Sequence, residues 1–162
     1  MKKGIGRAVS TLTSVAAGAV AGGIAARSVS SKKIYQMAEG HEKVHELYMA
    51  FDQWLRIRQE GKTLVEYFEK NGYKTVAIYG MKELGERLYD ELEGSDIKVC
   101  YVIDKNADQI YADVDVVTPD EKLAPVDVIV VTALYYFDEI EELLSDKVDY
   151  PVVSLEDILY EV

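Results

Sequence analysis

One cysteine, two histidines and no acidic residue before Glu39 are the scarcities of this 162-residue chain. With Cys100 alone there is no intramolecular disulfide framework, which suits a reducing compartment. With His41 and His45 alone, any histidine chemistry is confined to one short stretch, GHEKVHE (40–46). That stretch contains H-E-x-x-H, the helical spacing that sets two imidazoles one turn apart in zinc hydrolases. Such a site needs a third ligand and a substrate cleft, and residues 46–52, ELYMAFD, supply no further histidine. The bland account is a helix whose apolar seam passes through His41, and no metal site is expected.

The missing acids at the N-terminus matter for charge. Residues 1–33 hold Lys2, Lys3, Arg7, Arg27, Lys32 and Lys33, which leaves 12 basic against 29 acidic residues, a net −17, on residues 34–162. A surface so acidic repels a phosphate backbone, and nucleic acid is not an expected partner. Between Arg7 and Arg27 lie 19 uncharged residues, AVSTLTSVAAGAVAGGIAA, about 28 Å long as a helix. This stretch, residues 8–26, is long enough to span a bilayer, although its only large apolar groups are Val9, Leu12, Val15, Val20 and Ile24. Gly18 and Gly22 have the spacing that lets two membrane helices approach closely. A secretory signal ending near Ala19-Val20-Ala21 is the rival reading. The expectation is a single-pass anchor in the cell membrane with the remainder of the chain in the cytoplasm, and the basic flanks do not set the orientation.

Three segments follow: the anchor at 1–33, an amphipathic linker or association helix at 34–60, and a folded domain at 61–162. In the second, Ile34, Met37, His41, Val44, Tyr48, Phe51 and Leu55 recur at alternating intervals of three and four, the seam of a helix that must bury one face against its own domain or a second copy of itself. Leu47 and Trp54 widen the stripe. Association with a second copy or with a partner protein through 34–58 is expected. Thr63 and Glu66 have capping-box spacing for a short helix that Asn71-Gly72 closes.

From Lys74 the pattern alternates. KTVAIYG predicts a strand and MKELGERLYDELEG a helix, then IKVCYVID, VDVVT (114–118) and VDVIVVTA (126–133) predict three more strands. Asp138 and Glu141 are expected to cap the helix DEIEELLSDKV, and YPVVSL supplies a fifth strand before a last helical turn. Apolar runs without alternation belong to parallel strands covered on both faces. The predicted fold class is α/β: a small, doubly wound, parallel five-stranded sheet of order 3-2-1-4-5.

Ligands of such sheets sit at the carboxyl ends of the strands, where the order reverses. The turn after the first strand runs from Gly80 through Met81, Lys82, Glu83 and Leu84 to Gly85. Against G-x-G-x-x-G, Gly80 and Gly85 match the first and third glycines, while Lys82 replaces the second, whose role is to let backbone amides approach a pyrophosphate. The lysine obstructs that approach, yet its ammonium can reach a phosphate at the helix N-terminus. Asp104, 24 positions after Gly80, is placed to accept from ribose hydroxyls and to repel a 2′-phosphate, which favours an NAD-like ligand. Thr132 faces the same crevice, beside Ala133 and the aromatic run Tyr135, Tyr136 and Phe137. The run GYKTVAIYGMKELGERLYDEL, with IKVCYVIDKNAD, DVIVVTALYYFDEIEELL and YPVVSLEDIL, resembles the Rossmann-like nucleotide-binding domains of bacterial surface-polysaccharide enzymes, the sugar acetyltransferases and sugar methyltransferases. The resemblance covers roughly residues 61–162 and implies a nucleotide or nucleotide-sugar as ligand. No nucleophile–base pair, paired carboxylates or Tyr-x-x-x-Lys arrangement lies in 74–162, and the 29 residues after the fourth strand are too few for a substrate lobe. Binding or sensing is therefore expected rather than catalysis, with a ligand-free scaffold or accessory subunit as the alternative.

Overall fold

Strands with no polar face need helices on both sides, and the computed structural model, which describes residues 33–162, supplies them. Five parallel strands form one sheet of order β3-β2-β1-β4-β5: β1 (Thr75–Tyr79), β2 (Lys98–Ile103), β3 (Val116–Val117), β4 (Val128–Val131) and β5 (Val152–Ser154). The helices are α1 (33–59), α2 (Val65–Asn71), α3 (Glu83–Leu92), α4 (Phe137–Ser145) and α5 (Leu155–Glu161). The chain divides at Glu42/Lys43, and the unit Lys43–Val162 contains the whole sheet. This unit takes in α1 from Lys43 onward together with residues 61–162.

Successive side chains of β1 point to opposite faces. Val76 and Ile78 join Val102, Val128 and Val130 beneath α1, α2, α3 and α5, while Ala77 and Tyr79 join Ile103, Ile129 and Val131 beneath Ile140 and Leu144 of α4. Between β1 and β2 the register slips: Val76 pairs with Val99, but Ala77 pairs with Tyr101. Cys100 is the extra residue, and this bulge turns Tyr101 to the α4 side. There the Tyr101 hydroxyl donates to the Ala124 carbonyl at 2.6 Å, and burial holds its pKa well above the usual phenol value.

Three local expectations change. The third strand shrinks from 114–118 to Val116–Val117, because it lies at the edge of the sheet and pairs only with Val102 and Ile103. Neither Asp138 nor Glu141 caps α4; a 3-10 turn at Leu134–Tyr136 leads directly into Phe137, and no side chain caps the helix. Asp138 and Glu139 instead lie in its first turn, where the helix dipole favours negative charge. The Thr63–Glu66 box is half formed: Glu66 Oε1 accepts the Thr63 amide at 3.2 Å, and α2 starts two residues later with no side-chain cap. The stretch 8–26 lies outside the described residues, and among those described no helix is long and apolar enough to cross a membrane.

α1 docks by one edge of the apolar stripe, where Leu47 and Trp54 lie and where Phe51 of the seam also packs against the core. Ala50, Trp54 and Ile57 are buried with Leu47 packed beside them, whereas Val44, Tyr48 and Leu55 stay exposed. One carboxylate fastens the docked face. Glu91 of α3, 11% exposed, accepts from Trp54 Nε1 at 2.6 Å through Oε2 and from the Leu64 amide at 2.7 Å through Oε1, and Arg58 lies 3.6 Å away. Removing it leaves two desolvated donors without a partner, each costing about 1–3 kcal/mol. Glu91→Ala is expected to lower the urea-unfolding free energy by about 2–4 kcal/mol, and Arg58→Ala, which breaks only a half-exposed ion pair, by less than about 1 kcal/mol. Equal effects of the two substitutions would show that the ion pair, not the buried hydrogen bonds, holds α1.

Candidate functional site

At the end of β1 the chain must leave the sheet and start a helix within four residues, and two glycines allow it. Gly80 has φ +93°, a conformation side chains rarely adopt, and its amide donates to the Ile103 carbonyl at 2.8 Å. Gly85, one turn into α3, is pressed so close that a Cβ there would stand 2.1 Å from the Gly80 oxygen and 3.3 Å from Thr132 Oγ1. The Thr132 hydroxyl serves the same turn, as a donor shared between the carbonyls of Gly80 at 2.8 Å and Tyr79 at 3.1 Å. Asp104, buried at the end of β2, accepts from the Met81 amide at 3.2 Å through Oδ2 and from the Asn106 amide at 2.8 Å through Oδ1.

The turn is therefore satisfied internally at two places where a ligand would be greeted. What it leaves open is the start of α3. Lys82 occupies the cap position in extended backbone, no side chain caps the helix, and the amides of Glu83, Leu84 and Gly85 have no carbonyl behind them within the helix. Leu84 is buried against the core, while Lys82 and Glu83 are exposed.

Beside this helix end lies a cleft of about 510 Å³ at the carboxyl ends of β1 and β4, where the strand order reverses. Of the eight residues singled out in the sequence, Gly80, Lys82, Leu84, Asp104 and Thr132 line it; Met81, Glu83 and Gly85 support the turn without lining it. Lys82 does not plug the gap, since its side chain is exposed and makes no ion pair among the described residues. Sequence reasoning missed one whole wall: Lys43, Glu46 and Leu47 come from α1, which the seam assigns to association. Lys43 Nζ sits 4.4 Å from the ring centre of Tyr136 and 4.9 Å from that of Tyr135, and bonds the Tyr136 hydroxyl, so a cation stands at an aromatic corner of the cleft. No local pattern announces this, because it depends on how α1 docks.

The electrostatics are mixed. Lys43, Lys82 and Lys105 face Glu46, Asp104 and Glu139. This parity occurs in a unit whose 12 basic side chains stand against 27 acidic ones, so the cleft departs from the field around it. Tyr79 lines the cleft as well; it is only 3% exposed, and its hydroxyl has no hydrogen-bond partner among the described residues. Burial, and then the negative charges of Asp104 and Asp120, raise its pKa, so it stays a neutral donor at any ordinary pH. His41 and His45 are exposed on α1, and among the described residues no group of three His, Cys, Asp or Glu side chains could hold a metal ion.

Two substitutions test this construction. Gly85→Ala drives a methyl group into a backbone carbonyl and is expected to cost about 3 kcal/mol or more in chemical denaturation. Gly40→Ala, with open space around it, should be neutral or slightly stabilising. Tyr79→Phe removes an unsatisfied buried hydroxyl and should leave the melting temperature of the unliganded protein unchanged or higher. A fall of several degrees would mean that the phenol is already bonded.

No family model, no curated protein and no solved structure matches this chain.

Proposed function

We propose that the cleft binds a nucleotide, NAD-like or a nucleotide-sugar, in a Rossmann-like module that senses its ligand rather than transforming it, tethered to the membrane through residues 8–26. The observation that carries the reading is the pairing of an uncapped helix N-terminus with two ammonium groups that make no ion pair among the described residues. The amides that open α3 and the side chains of Lys82 and Lys105 all lie where the sheet order reverses. A phosphate there gains both the helix dipole and the lysines, which compensates for the missing second glycine. Tyr136, exposed at the rim beside the Lys43 ammonium, is placed to pack against a base, and Tyr79 offers a donor hydroxyl. Asp104 still has lone pairs for ribose hydroxyls after accepting from Met81 and Asn106, and its charge disfavours a 2′-phosphate. The resemblance to polysaccharide-enzyme domains points the same way. The tether rests on the length and basic flanks of 8–26 and on nothing in the described residues.

One observation favours a second reading, a ligand-free scaffold or accessory subunit: Asp104 and Thr132 already satisfy the glycine turn, so the fold stands without a nucleotide. Thermal melts separate the two. A ligand at 100 times its dissociation constant adds about 2.7 kcal/mol, and NAD, NADH or a UDP-sugar is expected to raise the melting temperature accordingly. The Lys82→Ala/Lys105→Ala double variant should lose most of that gain while its unliganded melt stays the same. No shift with any of the three would favour the scaffold.

A further inference from the structure

α1 has two apolar faces, and the sheet domain uses one. At 100° per residue the docked face, centred on Ala50 and Trp54, and the seam through Val44, Tyr48, Phe51 and Leu55 lie roughly 120° apart. On the seam, Val44, Tyr48 and Leu55 are exposed by 66, 63 and 57%, and Phe51 between them is partly exposed, its other side packed against the core. The same spacing continues back through His41 to Met37 and Ile34, exposed by 75 and 63%. Seven of the eleven exposed large hydrophobic residues among those described belong to this one helix, a concentration that scattered surface residues do not show.

We infer that the exposed seam of α1 is the contact between two copies of this chain, packed seam to seam. A repeat of 3.5 residues sustained over three heptads is self-complementary, since each knob finds its hole on an identical helix. The flanking heptad positions are Ala38, His45 and Asp52 on one side and Gly40, Leu47 and Trp54 on the other, so no like charges oppose across the pair. Large aliphatic and aromatic side chains in this number cover about 1,300 Å² in a pair, within the ~1,200–2,000 Å² of specific interfaces. A lipid surface is the poorer occupant. Residues 34–60 carry Glu39, Glu42, Glu46, Asp52 and Glu60 against Lys43, Arg56 and Arg58, and an anionic membrane repels such a helix. The inference does not require the cleft to hold a nucleotide.

Cysteine crosslinking of the full chain, in a Cys100→Ser background, tests it by position. Val44 lies at the middle of the seam and meets its counterpart whether the helices run parallel or antiparallel. The Val44→Cys variant, oxidised with copper-phenanthroline, is expected to form a disulfide-linked dimer at least ten times faster than Glu42→Cys. Adding Leu55→Glu to Val44→Cys should abolish the dimer while the far-ultraviolet circular dichroism of the folded chain stays the same, because both residues are exposed. Equal rates at 42 and 44, or a dimer that survives Leu55→Glu, would overturn the inference. So would a monomer-sized product from a Val15→Cys/Val44→Cys pair, which would place the chain's own N-terminal stretch on the seam. Protection of Val44→Cys by anionic vesicles would assign the face to lipid and overturn it as well.

Discussion

The carbonyl oxygen of Gly80 is the point where β1, β4 and α3 meet. Thr132 of the β4 end hydrogen-bonds it at 2.8 Å, and Gly85 leaves no room for even a methyl group beside it. Because α3 is seated there, its buried row of Leu84, Leu88 and Leu92 falls onto Val76 and Ile78 of the sheet. For the same reason Lys82 and Leu84, at its N-terminal end, line the cleft. Core packing and the polarity of the site follow from one close contact, and a larger residue at position 85 damages both together.

A second constraint builds the other wall. Glu91 ties Trp54 of α1 and the start of α2 to α3, on the same helix that opens the cleft. α1 is thereby committed on one face, and its neighbouring residues Lys43, Glu46 and Leu47 reach the site as a consequence. The amphipathic helix forms one wall of the cleft and still keeps an exposed seam. Lys43 and Leu47, which line the cleft, and Val44 and Tyr48, which are exposed, lie within one turn of each other on α1.

Much of this was legible in the residues. Unbroken apolar runs at 75–79 and 128–131 are chemically unsuited to anything but doubly covered strands, and the order of the sheet follows from handed, short connections. Gly80 and Gly85 stood out because their spacing implies a tight turn and a close approach, and both occur. The Cys100 bulge did not, since a run apolar on both faces reads the same in either register. The docking face of α1 was legible in part: Leu47 and Trp54 lie on the apolar stripe, while Ala50 and Ile57, which pack beside them, fall outside the three-and-four seam. The shortness of β3 depends on a missing neighbour, and Tyr79 looked like one more core residue until its hydroxyl was seen to lack a partner.

The account stands on the cleft accepting phosphate at the start of α3. Amide correlation spectra of the ¹⁵N-labelled chain, titrated with NAD and with UDP-glucose, observe that helix end directly. Saturable shifts are predicted for Lys82 to Gly85, Lys105, Asn106 and Ala133 to Tyr136, with the opposite end of the sheet around Gly94 to Ile97 unmoved. Spectra that do not change with either ligand, or that change only at that opposite end, would contradict it.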